Sequence, residues 1–535
     1  MGKFFTLFLA TFFAFSFSHS ALAAPSVFKN ISSIRQTYRI DKALAAIPKG
    51  QKIKIAILDK AWTGLQAEIG KTLPPTTRFI DGAVPVPTNL TSNHGLRMAQ
   101  IVSEMLGAVG HKDQVDLRLY QVYGFSNFKQ AINALIQDPP HVVLYSEVWE
   151  FGGNFDGRGF INQEVNRATN AGIVWVNASG NFGFRTWNSS IKTINEDWVK
   201  LPDQNNAWKI ICEAPKGKKC PVKVVLSWND FKDDSEVGTN RDLDLALTDD
   251  FLNIIQTSTL KQSDDRNESR PGYSKYPREV VATEVKPGSY FVRVKNASKN
   301  FTGNSEMLRL TADGDFLKVD SVDFKESLLN PGDNPNVISV GAIDSERTSR
   351  SVRLGRPDLW AVSSIQLDKD NEFRGTSNSA AITAASVALT VAYNSSRGYT
   401  LNRQQVLDLL SLPFNWDRGN VSQSTLGFGP ASGRCYEQGQ WPRAPEAATR
   451  LLALGAAIVS TTDGWKVMTA FDPWLIAGLK KVNDDDRLLV RENGYFAANR
   501  FDPINPGAVE VFQRPTETGL CRRPLFQRGN LLRPF

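Results

Sequence analysis

The sequence predicts an α/β fold: a doubly wound, mostly parallel sheet, interrupted by an inserted all-β sandwich or jelly roll and followed by a small C-terminal α+β unit. Three observations predict it. Over residues 53–181, short β-branched apolar runs alternate with amphipathic stretches, the pattern of strands joined by crossover helices. From about 184 to 328, helical spacing gives way to short alternating runs split by turn residues. The α/β pattern then resumes at 334–344 and runs to about 412.

The elements follow in order. IKIAIL (53–58) reads as a buried strand whose carboxyl end presents Asp59. NHGLRMAQIVSEML (93–106) has apolar residues at helical spacing behind His94. VDLRLYQVYG (115–124) is a strand, NFKQAINALIQ (127–137) a helix and HVVLYSEVW (141–149) a strand. NQEVNRATNAG (162–172) is a helix and IVWVNASGN (173–181) a strand. Ligands of such sheets bind outside the carboxyl ends of the strands, and Asp59, Ser146 and Asn181 all fall at or near those ends. In the insert, CPVKVVLSWND, RDLDLALTD, PREVVATEV and GSYFVRVKN read as strands, and Lys286-Pro287-Gly288 is a turn signal. NPNVISVGAID (334–344) is a further strand. FRGTSNSAAITAA (373–385) opens a helix of small and apolar residues that should be buried all round. Ser377 lies in its first turn, where N–H groups and the positive dipole end meet a ligand. Gly375 permits close approach of a substrate backbone. RQQVLDLLSL (403–412) closes the α/β part, and beyond Arg434 two stretches read as hairpins around Asp-Gly and Asn-Gly turns.

A chain of 535 residues has room for about two to four domains. The expected division is 1–23 signal peptide, 24–184 and 329–433 the two parts of the α/β domain, 185–328 the insert and 434–535 the C-terminal domain. The net charge of +7 comes from scattered Lys and Arg, with no basic helix interleaved with aromatics, so no nucleic-acid partner is expected. Lys3, a mostly apolar run through Phe17 and Ala21-Leu22-Ala23 form a signal peptide with cleavage expected after Ala23 and export to the periplasm or the medium. No later apolar run reaches spanning length, so a soluble monomer without membrane contact is expected after cleavage. The four cysteines suit an oxidising compartment. Three pairings are possible; proximity favours Cys212–Cys220, clipping a turn at its base, and Cys435–Cys521. Without a C-x-x-C pair, thiolate metal binding is not expected.

Three anchors stand in the order Asp59, His94, Ser377. A serine becomes a nucleophile when a base takes its proton; a histidine does so near neutral pH, and a buried carboxylate fixes its tautomer. Of the four histidines, His19 leaves with the signal peptide, His111 lies in a polar turn and His141 follows Pro-Pro. Only His94 opens a helix. The order Asp–His–Asn–Ser, carried by IAILD, NHG, NASGN and GTS, with PNVISVGAID between the last two, resembles the subtilisin-like serine proteases (subtilases) over roughly residues 50–185 and 330–412. The inserted LSWND and RDLDLAL resemble the β-sandwich carried by some members, and IGKTLP and GRGFINQEVNRATNAGIVWVNASGN resemble a bacterial exported branch.

The resemblance implies that Asp59 orients, His94 is general base and acid, Ser377 attacks, and Asn181 donates its amide to the oxyanion beside the Ser377 N–H. It implies a P1 pocket bounded by Ser146–Gly153 and Ala178–Asn181, with Ser146 and Gly180 binding substrate. Trp149 could wall that pocket or be a packing residue; Glu147 or Glu150 could attract a basic P1 residue or be solvated loop acids. No cofactor is required for the chemistry. Structural calcium is an option, with Asp242 and Asp244, Asp233-Asp234 and Asp484-Asp485-Asp486 as acidic candidates; the two runs lack the EF-hand form and read otherwise as solvated turns. About 30 residues precede the Asp59 strand after the cleavage site, too few for the folding pro-domain common in the family. The C-terminal unit is therefore expected to assist folding or cover the cleft.

The sequence departs from the family pattern at Asp59-Lys60-Ala61, at His94-Gly95-Leu96-Arg97 and at Asn378-Ser379-Ala380-Ala381. The implied function is a secreted serine endopeptidase acting on proteins or peptides. The alternative is a secreted binding protein on an inactive fold, favoured if Trp62, Leu96 or Arg97 fills the cleft.

Overall fold

The computed structural model describes residues 26–411, except 39, 110–113, 205, 265–269 and 369, together with short strands between 429 and 524. His111, Cys435, Cys521 and the Asp484–Asp486 run lie outside the described residues. The main sheet orders its strands as Arg78–Ile80, Val115–Gln121, Ile53–Asp59, Val142–Tyr145, Val174–Ala178, Ile338–Ala342 and Leu359–Ala361. These pair in parallel, and Gly429–Pro430 adds an antiparallel edge.

Such Val/Ile/Leu runs form strands buried on both faces. Ile53, Ile55 and Ile57 point into one core with the helices His94–Met105 and Thr376–Ser395. Ala56 and Leu58 point into the other, with the helices Phe125–Gln137 and Phe160–Asn170. The first strand is flanked by Val115–Gln121 on one side and Val142–Tyr145 on the other. The chain order therefore reverses beside it, and the crevice at its carboxyl end is where such sheets bind ligands. The Thr376–Ser395 helix is buried at every residue from Asn378 through Ala392, as its small side chains require for close packing on the sheet. The segment before the first strand also joins this core: Phe28, Ile31, Ile34, Tyr38 and Ile40 are buried, and Asn30 Nδ2 donates to Ser364 O at 2.8 Å.

Between the neighbouring strands Val174–Ala178 and Ile338–Ala342 the chain builds two antiparallel sheets of five and four strands. Trp208–Cys212, Leu243–Thr248 and Gly288–Asn296 belong to the first; Cys220–Trp228, Arg278–Val285 and Met307–Asp313 belong to the second. Their inner residues share a core that includes Trp208, Trp228, Leu245, Val281 and Val292. The buried Arg309 ties this insert to the returning chain, donating to Glu326 O at 3.0 Å, to Asn188 Oδ1 at 2.7 Å and to Leu328 O. Lys223 Nζ and Ser227 Oγ in turn hold Glu150, at its carboxylate (2.7 Å) and its carbonyl (3.1 Å). The insert thus braces the loop that follows Val142–Tyr145.

The Cys212–Cys220 disulfide forms as expected, but it does more than clip a turn. Cys212 ends a strand of the five-stranded sheet and Cys220 begins one of the four-stranded sheet, so the bond joins the two sheets. Closing a loop across a separation of 8 residues restricts the unfolded chain by about 2–3 kcal/mol. Replacing both cysteines by Ala is expected to lower unfolding stability in denaturant by about that amount; an unchanged midpoint would show that the sheets hold without it. Among the described residues, no helix is long and apolar enough to cross a membrane.

Candidate active site

Leu58 lies opposite Tyr145, so Asp59 and Ser146 leave the sheet side by side. Asp59 is fully buried. Its Oδ1 accepts the Ala61 N–H at 3.0 Å; its Oδ2 accepts the Ser146 hydroxyl at 3.3 Å and lies 2.7 Å from His94 Nδ1. Three donors offset the cost of burying the carboxylate. They also set the histidine tautomer: with Nδ1 donating to Asp59, Nε2 is left to exchange protons. The His94 side chain keeps 31% of its surface exposed while Asp59 keeps none. The carboxylate is sealed behind an imidazole that stays partly exposed.

Gly95 makes this contact possible. A Cβ there would lie 2.7 Å from Asp59 Cβ and 2.9 Å from a Trp62 ring carbon, and the Gly95 N–H donates to Ala61 O at 2.8 Å. A larger residue would push the start of the helix off Asp59.

A second carboxylate stands close by. Glu147 Oε1 is 3.6 Å from His94 Nδ1, and Glu147 Oε2 is 2.8 Å from Lys60 Nζ. Asp59, His94 and Glu147 each place a nitrogen or oxygen within 4.8 Å of the others, and the Lys60 ammonium supplies the balancing cation. Burial pulls the His94 pKa down, but the Asp59 charge, the Asp59 hydrogen bond and the Glu147 charge outweigh it and raise it to about 9. Burial and the Asp59 charge push the Glu147 carboxyl up, against the pull of His94 and Lys60. Burial acts against the Lys60 charge, yet Glu147 and Asp59 hold its pKa above the ordinary lysine value.

Ser377 occupies the first turn of its helix, behind Gly375. Its hydroxyl donates to Ser146 O at 3.0 Å. Ser146 therefore touches both halves of the site, Asp59 through its side chain and Ser377 through its carbonyl. Asn181 follows the Val174–Ala178 strand and is exposed. Its Oδ1 accepts the Thr376 N–H at 3.1 Å and the Thr376 hydroxyl at 3.3 Å. This acceptor role turns Nδ2 outward as a donor. A Cβ on Gly375 would come within 3.2 Å of that nitrogen, so the glycine keeps the space beside it clear. Thr376 Oγ1 also accepts the Gly180 N–H at 3.1 Å, locking the strand end to the helix start. The Ser377 N–H lies in the same first turn, whose N–H groups lack acceptors within the helix.

The structure thus brings Asp59, His94, Ser146, Gly180, Asn181 and Ser377 to one place. His141 stands apart: its Nδ1 accepts the Lys54 N–H at 3.2 Å, and burial with the Lys54 charge lowers its pKa to about 4. Trp149 is a packing residue. Its ring packs edge-on against Phe128 and Phe151, and its N–H on the backbone donates to Asn330 O at 2.8 Å. Glu147 and Glu150 are not solvated acids either, since Lys60 and Lys223 neutralise them. Trp62 and Leu96 are buried in the main core, and Arg97 donates to Gln100 Oε1 at 3.0 Å. Sequence reasoning missed the Lys60–Glu147 pair beside His94 and the role of Thr376 in aiming Asn181. The available signal was adjacency: Lys60 follows Asp59, Glu147 follows Ser146, and Thr376 precedes Ser377.

No family profile and no curated protein sequence matches the chain. Solved structures do. The Clostridium perfringens CspB protease aligns with 74% of this chain and 96% of its own, at 13% identity and a TM-score of 0.44. A lanthipeptide protease aligns with 76% of this chain and 99% of its own, at 11% identity and a TM-score of 0.37. The epidermin leader peptide processing serine protease EpiP of Staphylococcus aureus aligns with 73% of this chain and 80% of its own, at 11% identity and a TM-score of 0.34. Over most of its length the chain is similar in structure to subtilisin-like proteases.

Proposed function

We propose that this chain is an exported serine endopeptidase of the subtilisin-like type, hydrolysing peptide bonds through an acyl-enzyme. One observation carries the reading: Ser146 bonds Asp59 with its hydroxyl and Ser377 with its carbonyl, which fixes the His94–Asp59 pair and the Ser377 hydroxyl at the same strand ends.

At rest the Ser377 hydroxyl donates to Ser146 O. Turning it onto His94 Nε2 frees that carbonyl to accept an N–H of an extended substrate. His94 takes the proton as Ser377 Oγ attacks the scissile carbonyl carbon. The developing oxyanion lies between Asn181 Nδ2 and the Ser377 N–H. On collapse the C–N bond breaks and His94 gives its proton to the leaving amine. A water then repeats the sequence through His94, releasing the acid and restoring the Ser377 hydroxyl. Asp59 holds the imidazole by its Nδ1 and stabilises the imidazolium.

Export is supported by the N-terminal signal pattern and the disulfide. A structural calcium belongs to the same reading. Asp242 Oδ1 is buried with no hydrogen-bond partner, and burial together with Asp244 and Glu279 raises the Asp242 carboxyl to about 7. Asp242 and Asp244 would supply hard oxygen ligands to such an ion, and none of the steps above runs through it.

The base must be neutral to act, so activity should rise with pH as His94 titrates at about 9. The sign for stability is opposite. The folded pKa lies above the ordinary 6.5, so the ion pair's contribution is complete below pH 6.5 and is lost as pH rises through about 9. The test is labelling by a serine-directed fluorophosphonate across pH, with Ser377→Ala as control. Labelling that climbs toward pH 9 and vanishes in the variant supports the protease. Folded protein that never labels would leave the binding-protein reading standing.

A further inference from the structure

We propose that Glu147 is a positioning residue of this site: a second carboxylate on the proton-bearing edge of His94, held by Lys60, that governs the His94 proton jointly with Asp59. The proposal rests on the protease reading for its consequence, but not for its test.

Its basis is geometric. A histidine–aspartate pair needs one carboxylate, and Asp59 already takes the Nδ1 proton at 2.7 Å. Glu147 lies 3.6 Å from the same nitrogen, too far to share that hydrogen bond and close enough for its charge to be felt. The main-sheet register puts it there. Leu58 pairs with Tyr145, so two residues further on Lys60 faces Glu147 as both chains leave the sheet. Lys60 Nζ then holds the far carboxylate oxygen at 2.8 Å, which aims the near one at His94. Glu147 is 15% exposed, so solvent screens it little, whereas the half-exposed Lys60 lies nearer water.

The charged groups facing His94 are therefore Asp59 and Lys60 from the end of the first strand and Glu147 from the end of its neighbour. Arg97, on the histidine's own helix, is turned to Gln100. Two anions and one cation surround the ring, and the second anion favours the imidazolium. During attack it would stabilise the charge that His94 gains. Before attack it would keep His94 protonated until the medium is alkaline. Glu147 so trades activity at neutral pH for a base matched to alkaline conditions.

The test reads the His94 proton directly. Full-length protein labelled with [13Cε1]-histidine has few imidazole signals, because the chain contains only 4 histidines, and His94→Ala assigns the one of interest. The probe is pH alone, so the measurement stands whether or not the protein cleaves peptides. In the wild type the His94 midpoint is expected near 9. In Glu147→Gln, which keeps the shape, it should fall by about one unit, roughly a tenfold gain in neutral imidazole at pH values well below the variant's midpoint. Glu147→Asp restores the charge and should return the midpoint most of the way, which excludes a purely structural role. If fluorophosphonate labels the protein, its acid limb should shift with the NMR midpoint. A Glu147→Gln midpoint equal to wild type, or Gln and Asp variants that shift alike, would overturn the proposal. Failure to label at any pH would instead overturn the protease reading and leave the titration to decide on Glu147.

Discussion

Asp59→Asn is expected to lower kcat/KM on a peptide substrate by about 10⁴-fold, while Asp59 remains replaced by a side chain of equal size. The buried carboxylate has three donors to satisfy: the Ala61 N–H, the Ser146 hydroxyl and His94 Nδ1. An asparagine offers one oxygen and one NH2. If its oxygen keeps Ala61, the NH2 faces Nδ1 and forces the proton onto Nε2. His94 then cannot accept from Ser377. If the oxygen keeps His94 instead, the NH2 points at the Ala61 N–H, two donors meet in a dry site, and the turn through Ala61 and Trp62 has to move. That turn also receives the Gly95 N–H, so the start of the helix would shift with it. Either course removes the base. The steady-state rate of the variant, set beside Ser377→Ala as the floor, checks this; a loss below about tenfold would mean that His94 is not oriented by Asp59. A melting curve separates the two courses, because only the second disturbs the backbone.

Much of this arrangement was legible in the residues, and the legible part was local. IAILD and ASGN announce strands because β-branched runs end at polar residues, and NHG and GTS announce helix starts because a glycine sits where backbone must approach closely. What remained hidden was lateral. Periodicity shows that Ile53–Asp59 is a strand and not which strands flank it, because neighbours in a parallel sheet are chosen by crossovers tens of residues long. The Lys60–Glu147 pair follows from the Leu58–Tyr145 register alone, so Glu147 read as a solvated acid or a pocket charge. Trp149 stayed open between pocket wall and packing residue for the same reason: its loop turns onto Phe128, on the face away from the Thr376–Ser395 helix. The disulfide was legible as a pair and not as a tie between sheets, since two cysteines close in sequence say nothing about which strands they end. The segment before Ile53 carried apolar residues at helical spacing, and their burial against the His94 helix appears only once both are placed.

Asn181→Leu is expected to lower kcat by about 10²–10³-fold with KM little changed, the scale of removing one preorganised donor to an oxyanion. The amide does two jobs with two atoms. Oδ1 accepts from Thr376 and pins the strand end to the helix that carries Ser377; Nδ2 is left to donate. Leucine removes both, so its effect mixes positioning with electrostatics. Asn181→Asp separates them: one carboxylate oxygen still accepts the Thr376 N–H, while the other places negative charge where the oxyanion must form. If donation matters, Asp is at least as harmful as Leu, because repulsion is added to the lost hydrogen bond. If pinning the helix matters, Asp behaves like wild type. Thr376→Val completes the comparison. It keeps the backbone N–H that holds Oδ1 but loses the hydroxyl that also accepts from Gly180, so a fall much smaller than that of Asn181→Leu is expected. The Gly180 N–H would then lack its partner, and the strand end would loosen around an amide that can still donate. Fluorophosphonate labelling of these variants adds a second reading, since phosphonylation also places an oxygen in the same pocket. Labelling that slows in parallel with kcat would tie the Asn181 amide to the developing charge; slowed peptide hydrolysis with unchanged labelling would tie it to substrate binding instead.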